Sequence, residues 1–268
     1  MSDASKKQRI AAAVSRLTGT LELVENADVV DLLAGFIDAG GAVRFAQRLE
    51  DGVSVEGSTT VGPLSTLERT VVARLGEFEA RLQDGFDHAF RPRYRLTTAS
   101  RAWATLGQFG LLDGKKKVDA AAFKKACRAL WAPYNEFLET HLKRLRFALR
   151  DLRTEVVETL VKTGPTVAEL ATLDQAFMAA TQGVIDGLYR RITPSLEAHF
   201  ERRLRALLVG GLDLDAASFA AGFGPDGWLG EIMTDASALY FALLGREGRR
   251  LLDLVKSAMA LDETAEER

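Results

Sequence analysis

The chain has 268 residues, of which 47% are hydrophobic and 27% charged, and its formal net charge is −2. This composition is typical of a globular protein and excludes an intrinsically disordered one. The single cysteine, Cys127, excludes an intramolecular disulfide and a cysteine zinc cluster and suits a reducing compartment. No secretory signal is visible at the polar, basic N-terminus, and the longest apolar run, 236–244, is too short to span a bilayer. We therefore expect a cytoplasmic protein without a membrane span.

The first half of the chain divides into three parts. Residues 1–50 predict short helices, and residues 51–64 predict a linker because they are rich in glycine and small polar residues. Residues 65–130 predict a helical segment that carries a basic patch. Ser65 or Thr66 is expected to cap its first helix, which ends near residue 84. The apolar face of that helix comprises Leu67, Val71, Leu75, Phe78 and Leu82.

Residues 131–208 predict a long antiparallel helical hairpin. Its first helix carries apolar residues at steps of three and four, the spacing of one helix face. This stripe comprises Leu138, Leu142, Leu145, Leu149, Leu152, Val156 and Leu160. Gly164 and Pro165 are expected to end the helix, with Gly164 in a left-handed C-terminal conformation.

The returning helix of the hairpin repeats the pattern. Thr166 is expected to cap it, with Glu169 completing a capping box. Pro194 lies inside this helix and predicts a kink or a restart, because proline disrupts a helix interior. The stripe expected to face the first helix comprises Val167, Leu170, Leu173, Phe177, Val184, Leu188, Ile192, Leu196, Phe200, Leu204 and Leu208.

Residues 209–268 predict apolar C-terminal helices and a charged tail. A turn is expected at 225–227, followed by an apolar helical region that Gly245 and Gly248 could divide. The resulting fold class is all-α, built around the long hairpin with shorter N- and C-terminal helices packed on it.

Charge is unevenly distributed along the chain. Residues 21–88 contain 13 acidic and 5 basic residues, whereas residues 91–153 contain 15 basic and 5 acidic residues. This asymmetry indicates either contact between the two parts or an acidic partner for the basic part. Solvated helix faces that partly pair with each other are the simpler interpretation. The candidate partner-binding basic face comprises Lys115, Lys116, Lys117, Lys124, Lys125, Arg128, Lys143, Arg144, Arg146, Arg150 and Arg153.

The sequence contains no recognisable catalytic or metal-binding constellation. His88, His141 and His199 are scattered, and none has a second histidine or a glutamate at the spacing of a helical metal site. His141 is expected on the surface and His199 at the boundary of the core. Cys127 is expected to be a buried structural thiol. We therefore predict a protein without an enzymatic activity, a metal or a cofactor.

Three segments of the hairpin together resemble an uncharacterised proteobacterial domain-of-unknown-function family. These segments are WAPYNEFLETHLKRLRFALR (131–150), VAELATLDQAF (167–177) and LYRRITPSLEAHFERRLRAL (188–207). Residues 15–50 are similar to the leader of that family, while residues 101–125 and the chain after Gly210 depart from its pattern.

The resemblance implies a biological setting and no catalytic residues. Genes of that family neighbour TolQ/ExbB/MotA-like proton-channel proteins and OmpA-like, peptidoglycan-binding proteins. By this resemblance the chain is expected to be a cytoplasmic accessory subunit, at the inner membrane, of an envelope-associated complex. Its expected partners are proteins, including a second copy of the chain through the hairpin. The alternative is a nucleic-acid-binding regulator that uses the basic segment 91–153.

Overall fold

The fold is all-α, as predicted. The computed structural model describes residues 62–91, 94–112, 119–210 and 215–266. They form six α-helices and no strand: α1 (Pro63–Asp87), α2 (Ala99–Gln108), α3 (Ala120–Thr163), α4 (Pro165–Gly210), α5 (Ala216–Gly222) and α6 (Trp228–Glu266). The predictions for residues 1–61 and for Lys115, Lys116 and Lys117 lie outside the described residues.

Four of the helices pack side by side. Helix α1 packs on α3 and α6, and α4 packs on the same two helices, so that α3 and α6 lie between α1 and α4. The cross-helix ion pairs Arg146–Asp186 and Arg153–Asp174 show that residue numbers rise along α3 while they fall along α4. The two helices therefore run in opposite directions.

Aromatic side chains join the shorter helices to the long ones. At the C-terminal end of α1, the ring of Phe86 lies 5.6 Å from that of Phe137 and 5.5 Å from that of Tyr240. Helices α2 and α5 contact each other through Trp103 and Phe219, whose rings are 5.4 Å apart, and α2 also contacts α3. Aromatic burial thus connects these helices to the same core.

The predicted apolar stripe of α3 is buried throughout. Leu138, Leu152, Val156 and Leu160 are fully buried, and the other three leucines of the stripe are at most 7% exposed. A continuous apolar face at helical spacing is removed from water only when other helices cover it on several sides. The stripe therefore forms the central seam of the protein.

The predicted stripe of α4 is wrong at two positions. Leu173 is 67% exposed and Phe177 is 49% exposed. Ala171 and Asp174 occupy the inward side instead, because the carboxylate of Asp174 pairs with arginines of α3 and α6. Turning Asp174 inward rotates Leu173 and Phe177 outward.

Several predicted helix ends also differ from the structure. Helix α1 begins at Pro63 without a side-chain cap from Ser65 or Thr66, since proline suits the first helical position. Gly164 has an extended φ of 176° in place of the left-handed conformation. Helix α4 begins at Pro165, directly after Gly164, so Thr166 lies inside the helix and does not cap it.

The long helices are also less divided than expected. Helix α3 runs unbroken past the border predicted between residues 130 and 131, with Pro133 inside it. Helix α4 is one helix that includes Pro194, and α6 continues through Gly245 and Gly248. At 39 residues, α6 is longer than α1 and only slightly shorter than α3 and α4, which have 44 and 46 residues.

The predicted surface position of His141 is wrong. Its side chain is 8% exposed, and its Nδ1 lies 2.8 Å from the carbonyl oxygen of Phe137. The absence of a side chain at Gly85 makes room for the ring, because a Cβ there would lie 2.6 Å from His141 Nε2. His199 is also buried and not at the boundary.

Cys127 is buried, as predicted, with 1% of its surface exposed. Burial, together with the negative charge of Glu201, raises the pKa of its thiol to about 12. Because the thiolate is the reactive form, Cys127 in the folded protein should react with an aromatic disulfide about 1000-fold more slowly than in the denatured chain at pH 8. Equal rates in the two states would show that the thiol is accessible.

Candidate functional site

The basic residues predicted to form one face occupy three different environments. Lys124, Lys125 and Arg128 are exposed near the start of α3. Lys143, Arg144 and Arg150 are exposed about 20–40 Å further along the same helix at about 1.5 Å per residue. Arg146 and Arg153 are half-buried and turn toward α4.

The exposed basic residues in the middle of α3 surround an aromatic side chain. Phe147 is 65% exposed, although its chemistry favours burial. Lys143 and Arg144 precede it by four and three positions, and Arg150 follows it by three, so all three lie on neighbouring turns of the same helix face. We call these four residues the Phe147 patch. Asp151 is exposed beside the patch and leaves it with a net positive charge.

The Phe147 patch was missed in the sequence, although a signal for it was present. Phe147 falls two positions after Leu145 and two before Leu149, so it lies about 200° around the helix from the first and opposite the buried stripe. The signal is the position of Phe147, a large apolar residue on the outward side of an amphipathic helix.

Arg146 and Arg153 have structural partners in place of solvent. Arg146 pairs with Asp186 and lies 4.5 Å from the centre of the Tyr189 ring. Arg153 pairs with Asp174, whose other carboxylate oxygen accepts a bond from Arg250 of α6 at 3.1 Å. Asp174 thus connects α3, α4 and α6. These two arginines hold the hairpin together and are not available to an external partner.

A shallow groove runs beside the Phe147 patch, between α3 and α4. Its volume is about 200 Å³, and its lining residues include Glu139, Lys143, Arg146, Arg190 and Pro194. Because Arg146 is paired with Asp186, the remaining charges of the groove are Lys143 and Arg190 against Glu139, which leaves one net positive charge. Lys143 belongs to both the groove and the patch, so the positive surface extends from the outside of α3 toward α4.

The described residues offer no cluster of three or more histidine, cysteine or acidic side chains that could hold a metal ion. Across the same residues, none of the helices combines the length and apolar character needed to cross a membrane.

A family model described as "Protein of unknown function (DUF3348)" matches residues 76–245. The chain belongs to this family. The matched region, which we call the DUF3348 region, begins after the leader-like segment 15–50 and continues beyond Gly210, where the sequence resemblance was expected to end. It includes the C-terminal half of α1, all of α2 to α5 and the first part of α6. The Phe147 patch and the Arg153–Asp174 ion pair therefore lie within it, whereas Arg250, the other partner of Asp174, lies beyond its end. No curated protein and no solved structure matches the chain.

Proposed function

We propose that this chain is a non-enzymatic helical interaction protein that binds an acidic protein partner on the outer surface of α3. The observation that carries the proposal is the Phe147 patch: one aromatic side chain, 65% exposed, among Lys143, Arg144 and Arg150. The groove between α3 and α4 extends the same positive surface.

The chemistry of the patch matches that of a protein-binding surface. Aromatic residues and arginine are enriched in the energetically dominant parts of interfaces, where a central apolar anchor is surrounded by polar groups. Phe147 provides the anchor, and the surrounding cations favour a partner with carboxylates around an apolar pocket. Glutamate and aspartate on the partner would also increase the association rate through attraction at a distance.

The partner class that we propose is an envelope-associated complex with a TolQ/ExbB/MotA-like proton channel and an OmpA-like protein. The support for it is the sequence resemblance of residues 131–150, 167–177 and 188–207. In this proposal the chain is an accessory subunit that works in the cytoplasm at the inner membrane and docks through the Phe147 patch on an acidic cytoplasmic segment of that complex.

Replacing Phe147 by alanine should abolish most of the partner binding and leave the fold intact. The loss of an interface anchor typically costs more than 1 kcal/mol, so recovery of the channel and OmpA-like proteins should fall about tenfold. The measurement is quantitative recovery with the tagged full chain from gently solubilised native membranes.

The matched control for this experiment is Val72→Ala. Val72 is 53% exposed on α1 and lies outside the Phe147 patch, so this variant should recover the partners like the natural chain. Equal recovery by Phe147→Ala would show that the patch is not the binding surface. Failure of the natural chain to recover any channel-type or OmpA-like protein would overturn the proposed partner class.

A nucleic-acid-binding regulator is the second candidate function, and the exposed cluster Lys124, Lys125 and Arg128 favours it. Binding to duplex DNA through phosphate contacts would weaken with salt, with a log–log slope of about −0.9 for each contact. Salt-dependent binding that Lys124→Ala with Lys125→Ala removes, while Phe147→Ala does not, would favour this candidate over the first.

A further inference from the structure

The Phe147 patch has no counterpart in the part of the chain that the structure describes. Within that part, no acidic side chain forms an ion pair with Lys143, Arg144 or Arg150. Phe147 itself is 65% exposed. The three neighbouring cations repel one another, and the exposed ring keeps apolar surface in water. A segment that brings carboxylates and apolar side chains to this surface would relieve both effects.

The N-terminal part of the chain contains a segment of this composition. Residues 21–43 have five acidic residues and no basic one, and their apolar residues include Val29, Leu33 and Phe36. We call residues 21–43 the acidic segment. Carboxylates beside an apolar stretch are the chemistry that the Phe147 patch favours in a partner. The chain therefore carries a second candidate for the same surface.

Two carboxylates of the acidic segment fall beside its apolar residues. The sequence predicts a helix over 27–39, in which Val29 and Phe36 share one face because they are seven positions, about two turns, apart. Glu25 precedes Val29 by about one turn, and Asp28 lies about 100° around the helix from Val29, at the edge of the apolar face. A docked helix of this kind would bring both carboxylates close to the cations around Phe147.

The relative directions of the long helices show where the acidic segment joins the bundle. Helix α1 is antiparallel to α6, and α6 is antiparallel to α4. The contacts that fix these directions are Leu75–Gly248 and Phe86–Tyr240 for the first pair, and Arg203–Glu231 and Asp174–Arg250 for the second. Since α4 is also antiparallel to α3, helix α1 runs opposite to α3. The N-terminal end of α1 therefore lies toward the C-terminal end of α3.

The connection from the acidic segment to α1 is long enough to reach the Phe147 patch. Gly85 of α1 lies beside the ring of His141 on α3. From that level, Gly62 and Phe147 lie roughly 35 Å and 9 Å away in the same direction, at about 1.5 Å per residue, so they are roughly 26 Å apart along the bundle. A random chain of the length of 40–61 also spans about 26 Å. Such a match gives an effective concentration on the order of 1 mM at the patch.

We propose that the acidic segment docks on the Phe147 patch of its own chain and competes there with the acidic protein partner. Its apolar face, with Val29 and Phe36, covers Phe147, while Glu25 and Asp28 pair with the surrounding cations. With an intrinsic dissociation constant of about 100 µM, the contact would close about nine chains in ten and weaken partner binding about tenfold. The competition rests on the proposed function of the patch, whereas the contact itself does not.

The first test detects the contact in the isolated full chain. Replacing Phe147 by p-benzoylphenylalanine keeps an aromatic group at the patch, and irradiation joins this group to neighbouring C–H bonds. Peptide mass spectrometry should find it joined to residues 21–43, with a yield that is the same at about 1 µM and about 10 µM protein because the contact is intramolecular. Products without residues 21–43, or a yield that rises with protein concentration, would overturn the proposal.

The second test reverses charges on the two sides of the contact. Glu25→Lys with Asp28→Lys should lower the yield of this product at least about fivefold, because it places cations opposite cations. Adding Arg144→Glu with Arg150→Glu should restore part of the yield, since attraction returns with the signs exchanged. A yield that does not recover in the fourfold variant would argue that these carboxylates do not meet the patch.

The matched control is Asp31→Lys with Asp38→Lys. It changes the net charge by the same amount, but Asp31 and Asp38 lie about 180° around the predicted helix from Val29. This variant should form the product like the natural segment. Equal losses from the two double variants would show that overall charge, and not a docked face, produces the effect.

Recovery of the partner separates this inference from the proposed function. Glu25→Lys with Asp28→Lys should raise recovery of the channel and OmpA-like proteins about tenfold at limiting partner concentration. Unchanged recovery in a variant that has lost the intramolecular product would overturn the competition and leave the partner in place. A product with residues 21–43 in a chain that recovers no partner would overturn the proposed partner and support the intramolecular contact.

Discussion

Replacing Leu149 by alanine should lower the free energy of unfolding by about 2–5 kcal/mol. Leu149 is 7% exposed in the middle of the buried stripe of α3. It lies between Arg146 and Arg153, which both pair with α4, so the surrounding helices cannot easily move inward to fill the space of the lost methyl groups. The loss therefore combines reduced apolar burial with a residual cavity. Urea unfolding of the full chain measures it.

The matched control is the next residue along the chain. Arg150 is exposed on the opposite side of α3, and Arg150→Ala should change the free energy of unfolding by less than about 0.5 kcal/mol. Since Arg150 belongs to the Phe147 patch, this variant should instead weaken binding of the proposed partner. Equal stability losses for the two variants would mean that the seam of α3 is not the core.

Replacing Asp174 by alanine should lower the free energy of unfolding by about 3 kcal/mol. The side chain of Asp174 is 10% exposed, and those of its partners Arg153 and Arg250 are 17% and 22% exposed. Without the carboxylate, two guanidinium groups stay in a poorly hydrated site and repel each other. Most of the loss is this unpaired charge, so replacing Arg153 by methionine in the same protein should recover part of the stability.

Asp151→Ala is the control for Asp174→Ala. Asp151 is an exposed carboxylate on α3, and its removal should change stability by less than about 0.5 kcal/mol. Chemical denaturation of Asp174→Ala, Asp151→Ala and the Asp174→Ala, Arg153→Met protein compares these effects. If Asp174→Ala and Asp151→Ala gave the same small loss, the three-helix ion pair would contribute nothing measurable.

The stripe of α3 shows how much of the fold could be predicted. Its seven apolar residues recur at helical spacing without an intervening charge on the same face, and all seven are buried. Phe177 shows where the same reasoning fails. Periodicity alone places it on the same face as Val167 and Leu188. Over many turns, however, a seven-residue apolar repeat drifts around the surface of a straight α-helix, so that its residues come to lie on two neighbouring faces.

For the candidate site, the sequence predicted the kind of residues involved and not which of them are exposed. The sequence shows that basic residues are concentrated in 91–153, but it does not show which of them find acidic partners inside the fold. Arg146 and Arg150 are four positions apart and chemically alike. One pairs with Asp186, forty residues away, and the other is exposed. That difference depends on which side of α3 the returning helix covers.

The sequence by itself determined the helices, because local spacing of apolar residues and the near absence of strand-forming runs are properties of neighbouring residues. It also determined the burial of the α3 seam and of Cys127. Only the tertiary structure decided the inward turn of Asp174, the burial of His141 beside Gly85 and the exposure of Phe147, Leu173 and Phe177. Each depends on contacts between residues distant in sequence, since a side chain's surroundings are set by the helices packed around it.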